Sequence, residues 1–124
     1  MRVALIVDDS DLVRTVVSDL LSDQGYLTID ARNGEEALQQ VATGNPDLIL
    51  IDWMLDDFDA KGLIQRIRSA SGFETTPIVY ATTVNDANDI GAALAAGATT
   101  AVLKPYDALS FRELMTDLGQ PVVV

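Results

Sequence analysis

The chain has 124 residues, with 19 acidic against 8 basic side chains for a formal net charge of −11, and it contains neither cysteine nor histidine. That length suits one domain burying about two-thirds of the surface its unfolded form exposes, so folding requires neither a disulfide nor a metal. The charge repels nucleic-acid phosphates and anionic membranes, arguing against direct DNA or membrane binding, and no run approaches the roughly eighteen apolar residues of a membrane span.

The N-terminus reads Met1-Arg2-Val3-Ala4-Leu5-Ile6-Val7-Asp8-Asp9. Its apolar run is too short for a signal peptide and is stopped by two acids, so Val3 to Val7 is expected to form a strand. Leu12, Val13, Val16, Val17, Leu20 and Leu21 then recur at steps that put them on one face of a helix, which stops at Gly25. Leu27 to Ala31 is a second apolar run. Asn33 followed by Glu36 suggests a capping box for a helix through Ala37, Leu38 and Val41 that ends before Gly44-Asn45-Pro46. Leu48 to Ile51, Ile78 to Ala81 and Thr100 to Leu103 complete the strands. Leu63, Ile64 and Ile67 mark a third helix, and Ile90, Ala93 and Leu94 a fourth that runs to Gly97. Leu109, Phe111, Leu114, Met115 and Leu118 mark a fifth, stopped by Gly119.

Strand and helix alternate five times, which implies an α/β fold with a parallel sheet and helices on both faces. Residues 1–120 are expected to form one domain and 121–124 a short tail, with no output domain. In such sheets the site lies beyond the carboxyl ends of the strands. Here those ends carry Asp8-Asp9, Asp52, Thr82-Thr83 and Lys104-Pro105. Carboxylates gathered there repel one another, by about 4 kcal/mol per pair at 4 Å and an effective dielectric of 20. A cation relieves that cost, and magnesium suits oxygen ligands shared with a phosphate group. The plainer reading is that Asp8, Asp9 and Ser10 only cap the first helix. With a metal present, Asp52 is a reasonable nucleophile toward phosphorus, Lys104 supplies positive charge to the transferred group, and Thr82 a hydroxyl donor. On their own, Thr82 reads as a strand former and Lys104 as a surface lysine.

With Val7-Asp8-Asp9-Ser10, Ile51-Asp52-Trp53-Met54, Pro77-Ile78-Val79-Tyr80-Ala81-Thr82 and Ala96-Gly97-Ala98 leading to Leu103-Lys104-Pro105-Tyr106, the chain resembles the receiver domains of two-component response regulators. The resemblance implies a doubly wound, five-stranded flavodoxin-like sheet of order 2-1-3-4-5 with five helices. It implies Asp52 as phosphoacceptor, Asp9 as direct metal ligand, Asp8 as its partner, and the Met54 carbonyl as a further ligand. Together with Asp52 these would hold Mg2+ or Mn2+. Lys104 and Thr82 would attend the phosphoryl group, with a cis Lys104-Pro105 bond. The implied donor is a sensor histidine kinase or histidine phosphotransfer protein, and the implied output is altered binding to a downstream protein through the face of the fourth helix, fifth strand and fifth helix. The resemblance also implies a cytoplasmic protein, monomeric or dimerising on phosphorylation, that catalyses only its own modification and slow dephosphorylation. The first helix around Asp11 and Arg14 is the expected kinase contact, by analogy.

Several positions depart from the family. Ala101 replaces an aromatic switch residue, so the signal is expected to use another rearrangement or a weaker coupling. Asp56 stands where proline is common and Ala60 where glycine is common. Asp57 and Asp59 are expected to serve turn formation and capping, and Asp56 to raise metal affinity. Thr83 and Val84 are bulky enough to restrict access and slow dephosphorylation. A dehalogenase-like phosphatase would need an acid at Met54, and a flavodoxin-like cofactor binder would not place Asp8 and Asp9 against a phosphate. The remaining rival is a degenerate receiver acting as a constitutive interaction module.

Overall fold

The computed structural model describes residues 2–104 and 107–119. Ten elements alternate along the chain. They are β1 (Val3–Val7), α1 (Asp11–Asp23), β2 (Leu27–Ala31), α2 (Gly34–Gly44), β3 (Leu48–Asp52), α3 (Ala60–Ser69), β4 (Ile78–Thr82), α4 (Ala87–Ala96), β5 (Thr100–Leu103) and α5 (Ala108–Asp117). The strands form one parallel sheet of order β2-β1-β3-β4-β5, as the resemblance implies. Asp52 and Thr82 prove to be the last residues of their strands, one residue beyond the expected ends.

Successive strand side chains point to opposite faces of a sheet, so each strand feeds two cores. Leu5, Val7, Ile49, Ile51, Ile78 and Tyr80 pack beneath α2, α3 and α4, against Val41, Leu63, Ile64, Ile67 and Ala93. Ala4, Ile6, Leu48, Leu50 and Val79 pack on the other side against Val17 and Leu21 of α1 and Phe111, Leu114 and Met115 of α5. Burial on both faces explains why the central strands are apolar throughout rather than alternating. The register aligns Val7 with Ile51, Asp52 with Ala81, and Thr82 with Leu103, so the polar residues ending the strands emerge along one rim.

Helix boundaries follow their caps. Ser10 accepts the Val13 N–H at 3.2 Å to start α1, and Asp107 and Ser110 form a full capping box at α5. The box expected at α2 is only half formed. Asn33 accepts the Glu36 N–H at 2.9 Å, but the Glu36 carboxylate takes the N–H of Arg32 at 3.0 Å, one residue earlier, because the Arg32 guanidinium also draws it there. The helix runs through Gly44 and ends with Asn45 in the left-handed region at φ 45°, a conformation asparagine tolerates.

The apolar face read for α1 is narrower than expected: Leu12 is 74% and Val16 43% exposed, while Val17 and Leu21 carry the packing. The place left on that helix belongs to Arg14, which is buried against β2. Among the described residues no helix is long and apolar enough to cross a membrane. The expected cis Lys104-Pro105 bond and the tail at 121–124 lie outside the described residues.

Candidate functional site: an acidic rim closed by Lys104

Alternation along the strands decides which rim side chains meet. Asp8 lies two positions beyond Ile6, Asp52 two beyond Leu50, and Lys104 two beyond Val102, and all three predecessors pack on the α1 and α5 side. The Lys104 ammonium accordingly donates to Asp8 Oδ2 at 2.7 Å and to Asp52 Oδ1 at 3.0 Å. Residues separated by 96 and 52 positions in the chain thus meet in one ion-paired group. Asp8 and Asp52 are only 3% and 6% exposed. Asp9 is exposed, and its carboxylate completes a trio with Asp8 and Asp52 in which one oxygen from each residue lies within 4.8 Å of the other two.

Helix capping does not account for this arrangement. Ser10 caps α1, and although Asp8 also accepts the Ser10 N–H at 2.9 Å through Oδ1, its second oxygen turns to Lys104. Burial pushes the Asp52 carboxyl above its ordinary pKa; the bond from Lys104 pulls it back, and the negative charges of Asp8 and Asp9 push it up again. Burial also opposes the charge of Lys104, but its bonds to Asp8 and Asp52 outweigh that and hold the ammonium above the usual lysine range. Three carboxylates facing one ammonium leave negative charge that an oxygen-seeking divalent cation fits, and the donor set is the all-oxygen kind magnesium or manganese takes.

The other predicted residues sit around this centre. Thr82 is fully buried and continues the Tyr80 side of the sheet, and its hydroxyl is engaged with the Val84 peptide, accepting the N–H at 3.1 Å. Its backbone does reach the centre, because the Lys104 N–H donates to the Thr82 carbonyl at 2.8 Å. Thr83 is exposed. Met54 has a solvent-facing side chain and pairs by its backbone with Asp59 in a short antiparallel bridge. Asp56 is exposed and does not belong to the trio of close carboxylates. Asp59 precedes α3 without a side-chain capping bond, whereas Asp57 caps a helix, but α2 rather than the helix that follows it.

Two contributors carry no sequence signal of their own. The Arg14 guanidinium donates to the Asp8 carbonyl at 2.8 Å and to Asp30 at 2.9 Å, and it pairs with Asp11. On the α1 surface where the kinase contact is expected, Arg14 is buried and spent inside the fold, steadying the backbone of the acid pair, while Asp11 stays exposed beside Leu12, Thr15 and Val16. Asp89 of α4 receives both the Tyr80 hydroxyl at 2.8 Å and the Lys61 ammonium at 2.7 Å, tying α4 to β4 and α3. Tyr80 stands directly opposite Ala101 in the β4–β5 register.

The family model of the response regulator receiver domain matches residues 4–116, and this chain belongs to that family, the receiver domains of two-component systems. It is 31% identical over 104 residues to Chemotaxis protein CheY1 of Helicobacter pylori, covering 82% of this chain and 84% of that protein. It is 38% identical over 102 residues to the protein named Probable transcriptional regulator ycf27 of Cyanidium caldarium, spanning 82% of this chain but only 40% of the relative's length. Among solved structures it superposes on Chemotaxis response regulator CheY4 of Vibrio cholerae with a TM-score of 0.90 and 29% identity, covering 95% of this chain and 98% of that one. A two-component response regulator from Clostridium difficile gives a TM-score of 0.87 at 27% identity, covering 95% of each chain.

Proposed function

We propose that this receiver accepts a phosphoryl group on Asp52 from a phosphohistidine of a sensor kinase or phosphotransfer protein, and that it signals by changing its protein partners. The observation that carries this reading is the Lys104 ammonium shared between Asp8 and Asp52 beside Asp9. An oxygen of Asp52 attacks phosphorus as the P–N bond to the donor imidazole breaks, and the imidazole keeps the electron pair and takes a proton from water. Asp9, Asp8, Asp52 and the Met54 carbonyl would hold magnesium or manganese, which supplies positive charge that steadies the transferred group. Lys104 leaves Asp52 to pair with the new phosphoryl oxygens, retaining Asp8. Thr82 reaches that group only by releasing Val84, so its recruitment pulls on the turn that leads to α4.

The surfaces agree with a binding output. Leu94 of α4, Leu103 of β5 and Leu109 of α5 are exposed, and they supply apolar area for a downstream protein or for a second phosphorylated copy. Leu12 and Val16 of α1, beside the acid pair, offer the same to the kinase side. The acidic composition keeps nucleic acid and membranes from being the direct target, and the family role fits a cytoplasmic, self-modifying module rather than a turnover enzyme.

Trp53, the one tryptophan of the chain, follows Asp52 and packs against the α2–α4 core. Its fluorescence is expected to change on adding magnesium and again on adding beryllofluoride, with Asp52→Asn abolishing only the second change. A constitutive interaction module, which Ala101 favours, shows neither response.

A further inference from the structure

The loop from Trp53 to Asp59 follows the acceptor strand and contains neither glycine nor proline, so no special residue stiffens it. Three ties hold it instead. At its start the Trp53 N–H donates to the Ala81 carbonyl at 2.8 Å, and within it Met54 and Asp59 pair across a short antiparallel bridge. The third tie leaves the loop. The two carboxylate oxygens of Asp57 accept the N–H groups of Gly34 at 2.8 Å and Glu35 at 3.0 Å, the first turn of α2, more than twenty residues earlier in the chain.

The packing beside that tie is equally specific. The Phe58 ring lies flush on Gly34, so that a Cβ at residue 34 would come within 2.7 Å of the ring's Cγ. The Arg66 guanidinium lies over the same ring, 5.6 Å from its centroid. Burial pushes the Asp57 carboxyl up, but the N–H bonds, those of Gly34 and Glu35 foremost, together outweigh it and hold the carboxyl below the ordinary aspartate value. Helix amides and the positive end of the α2 dipole favour the ionised form there, so the charge is committed to α2 and is not free for the acidic rim.

From these contacts we infer that Asp57 is a positioning residue for the rim: it docks the acceptor loop on the N-terminus of α2 and thereby fixes the Met54 backbone beside Asp52. The inference rests on the phosphoacceptor reading above for its consequence, a set metal affinity, but the docking itself has an independent readout. Asp57→Ala removes both bonds, and Asp57→Asn keeps one acceptor oxygen. Gly34→Ala leaves the carboxylate in place and forces the Phe58 ring off α2. Asp47→Ala is the control, because it removes a comparable carboxylate bond, to the Val3 N–H at 2.8 Å, at the amino-terminal end of the strands, opposite the rim.

Two measurements on each variant test the inference: the magnesium midpoint from Trp53 fluorescence, and amide hydrogen exchange of Gly34, Glu35 and residues 54–59. The expected result is faster exchange at those amides in Asp57→Ala and Gly34→Ala. The magnesium midpoint should weaken on the order of tenfold, as for loss of a group that orients a metal ligand. Asp57→Asn falls between, and Asp47→Ala lowers the thermal midpoint without moving the magnesium midpoint. Unchanged exchange in Asp57→Ala overturns the docking, and faster exchange with an unchanged magnesium midpoint overturns the positioning role. If the unsubstituted protein itself gives no magnesium response, the phosphoacceptor reading fails, and with it the link to metal affinity; the docking is then judged on exchange alone.

Discussion

Lys104 is the residue whose environment constrains the site most tightly, with a side chain that is 13% exposed between two carboxylates that are nearly inaccessible. Replacing it with methionine leaves Asp8 and Asp52 buried without their counter-charge, and the loss is expected to be about 3 kcal/mol at neutral pH without metal. Urea denaturation measures it, and saturating magnesium should recover part of it. Asp52 runs the other way. Its folded pKa is raised by burial, so the native state holds the Asp52 proton more tightly than the unfolded chain does. The stability this contributes is present below the unfolded pKa and is lost as pH rises through the folded one. At pH 7 without metal, Asp52→Asn is therefore expected to raise the thermal midpoint, and a fall would contradict the assignment of burial as the dominant cause. The motif residues Asp8, Asp9, Asp52 and Lys104 are legible in the sequence because strand ends in a parallel sheet point to one rim. Arg14 is not, because an arginine four residues into an amphipathic helix reads as surface, and only the tertiary path of β2 brings Asp30 to it.

At the scale of elements, the five strands are legible to within a residue and the five helices by their apolar stripes, since apolar runs buried on both faces and helical steps leave different periods. What periodicity does not reveal is which elements are tied together by polar groups across the core. The Tyr80, Asp89 and Lys61 group joins β4, α4 and α3 at the register position facing Ala101. This tie joins α4 to the strand that ends in Thr82, beside a methyl group where a swinging ring is expected. Tyr80→Phe is expected to cost about 1.5 kcal/mol, the scale of a bond to a charged acceptor, and to loosen α4 preferentially in hydrogen exchange. The bonds from Lys61 and Tyr80 hold Asp89 below its ordinary pKa. The stability from this group is therefore present above the unfolded value and lost as pH falls through the folded one. Protection in α4 should drop below about pH 4, and Tyr80→Phe should move that loss to higher pH. Protection falling uniformly over all helices would show that the group does not hold α4 in particular.

For the molecule as a whole, an acidic chain with three carboxylates gathered at one rim should be stabilised by a divalent cation far more than by the same ionic strength of sodium chloride. Magnesium at ten times its dissociation constant is expected to add about 1.4 kcal/mol, seen as a rise in thermal midpoint that Asp9→Asn largely removes. Equal shifts with sodium and magnesium would mean that charge screening, not binding, is at work. Family membership and fold follow from the chain as it stands, while the kinase and the downstream partner depend on surface shapes that strand-end chemistry does not encode. The most direct measurement is peptide mass spectrometry after exposure to acetyl phosphate and to phosphorylated phosphotransfer proteins, with and without magnesium. One phosphoryl group on the peptide carrying Asp52, dependent on magnesium and absent from Asp52→Asn, is the predicted result. A chain that stays unmodified with every donor, or that is modified at another residue, would contradict it.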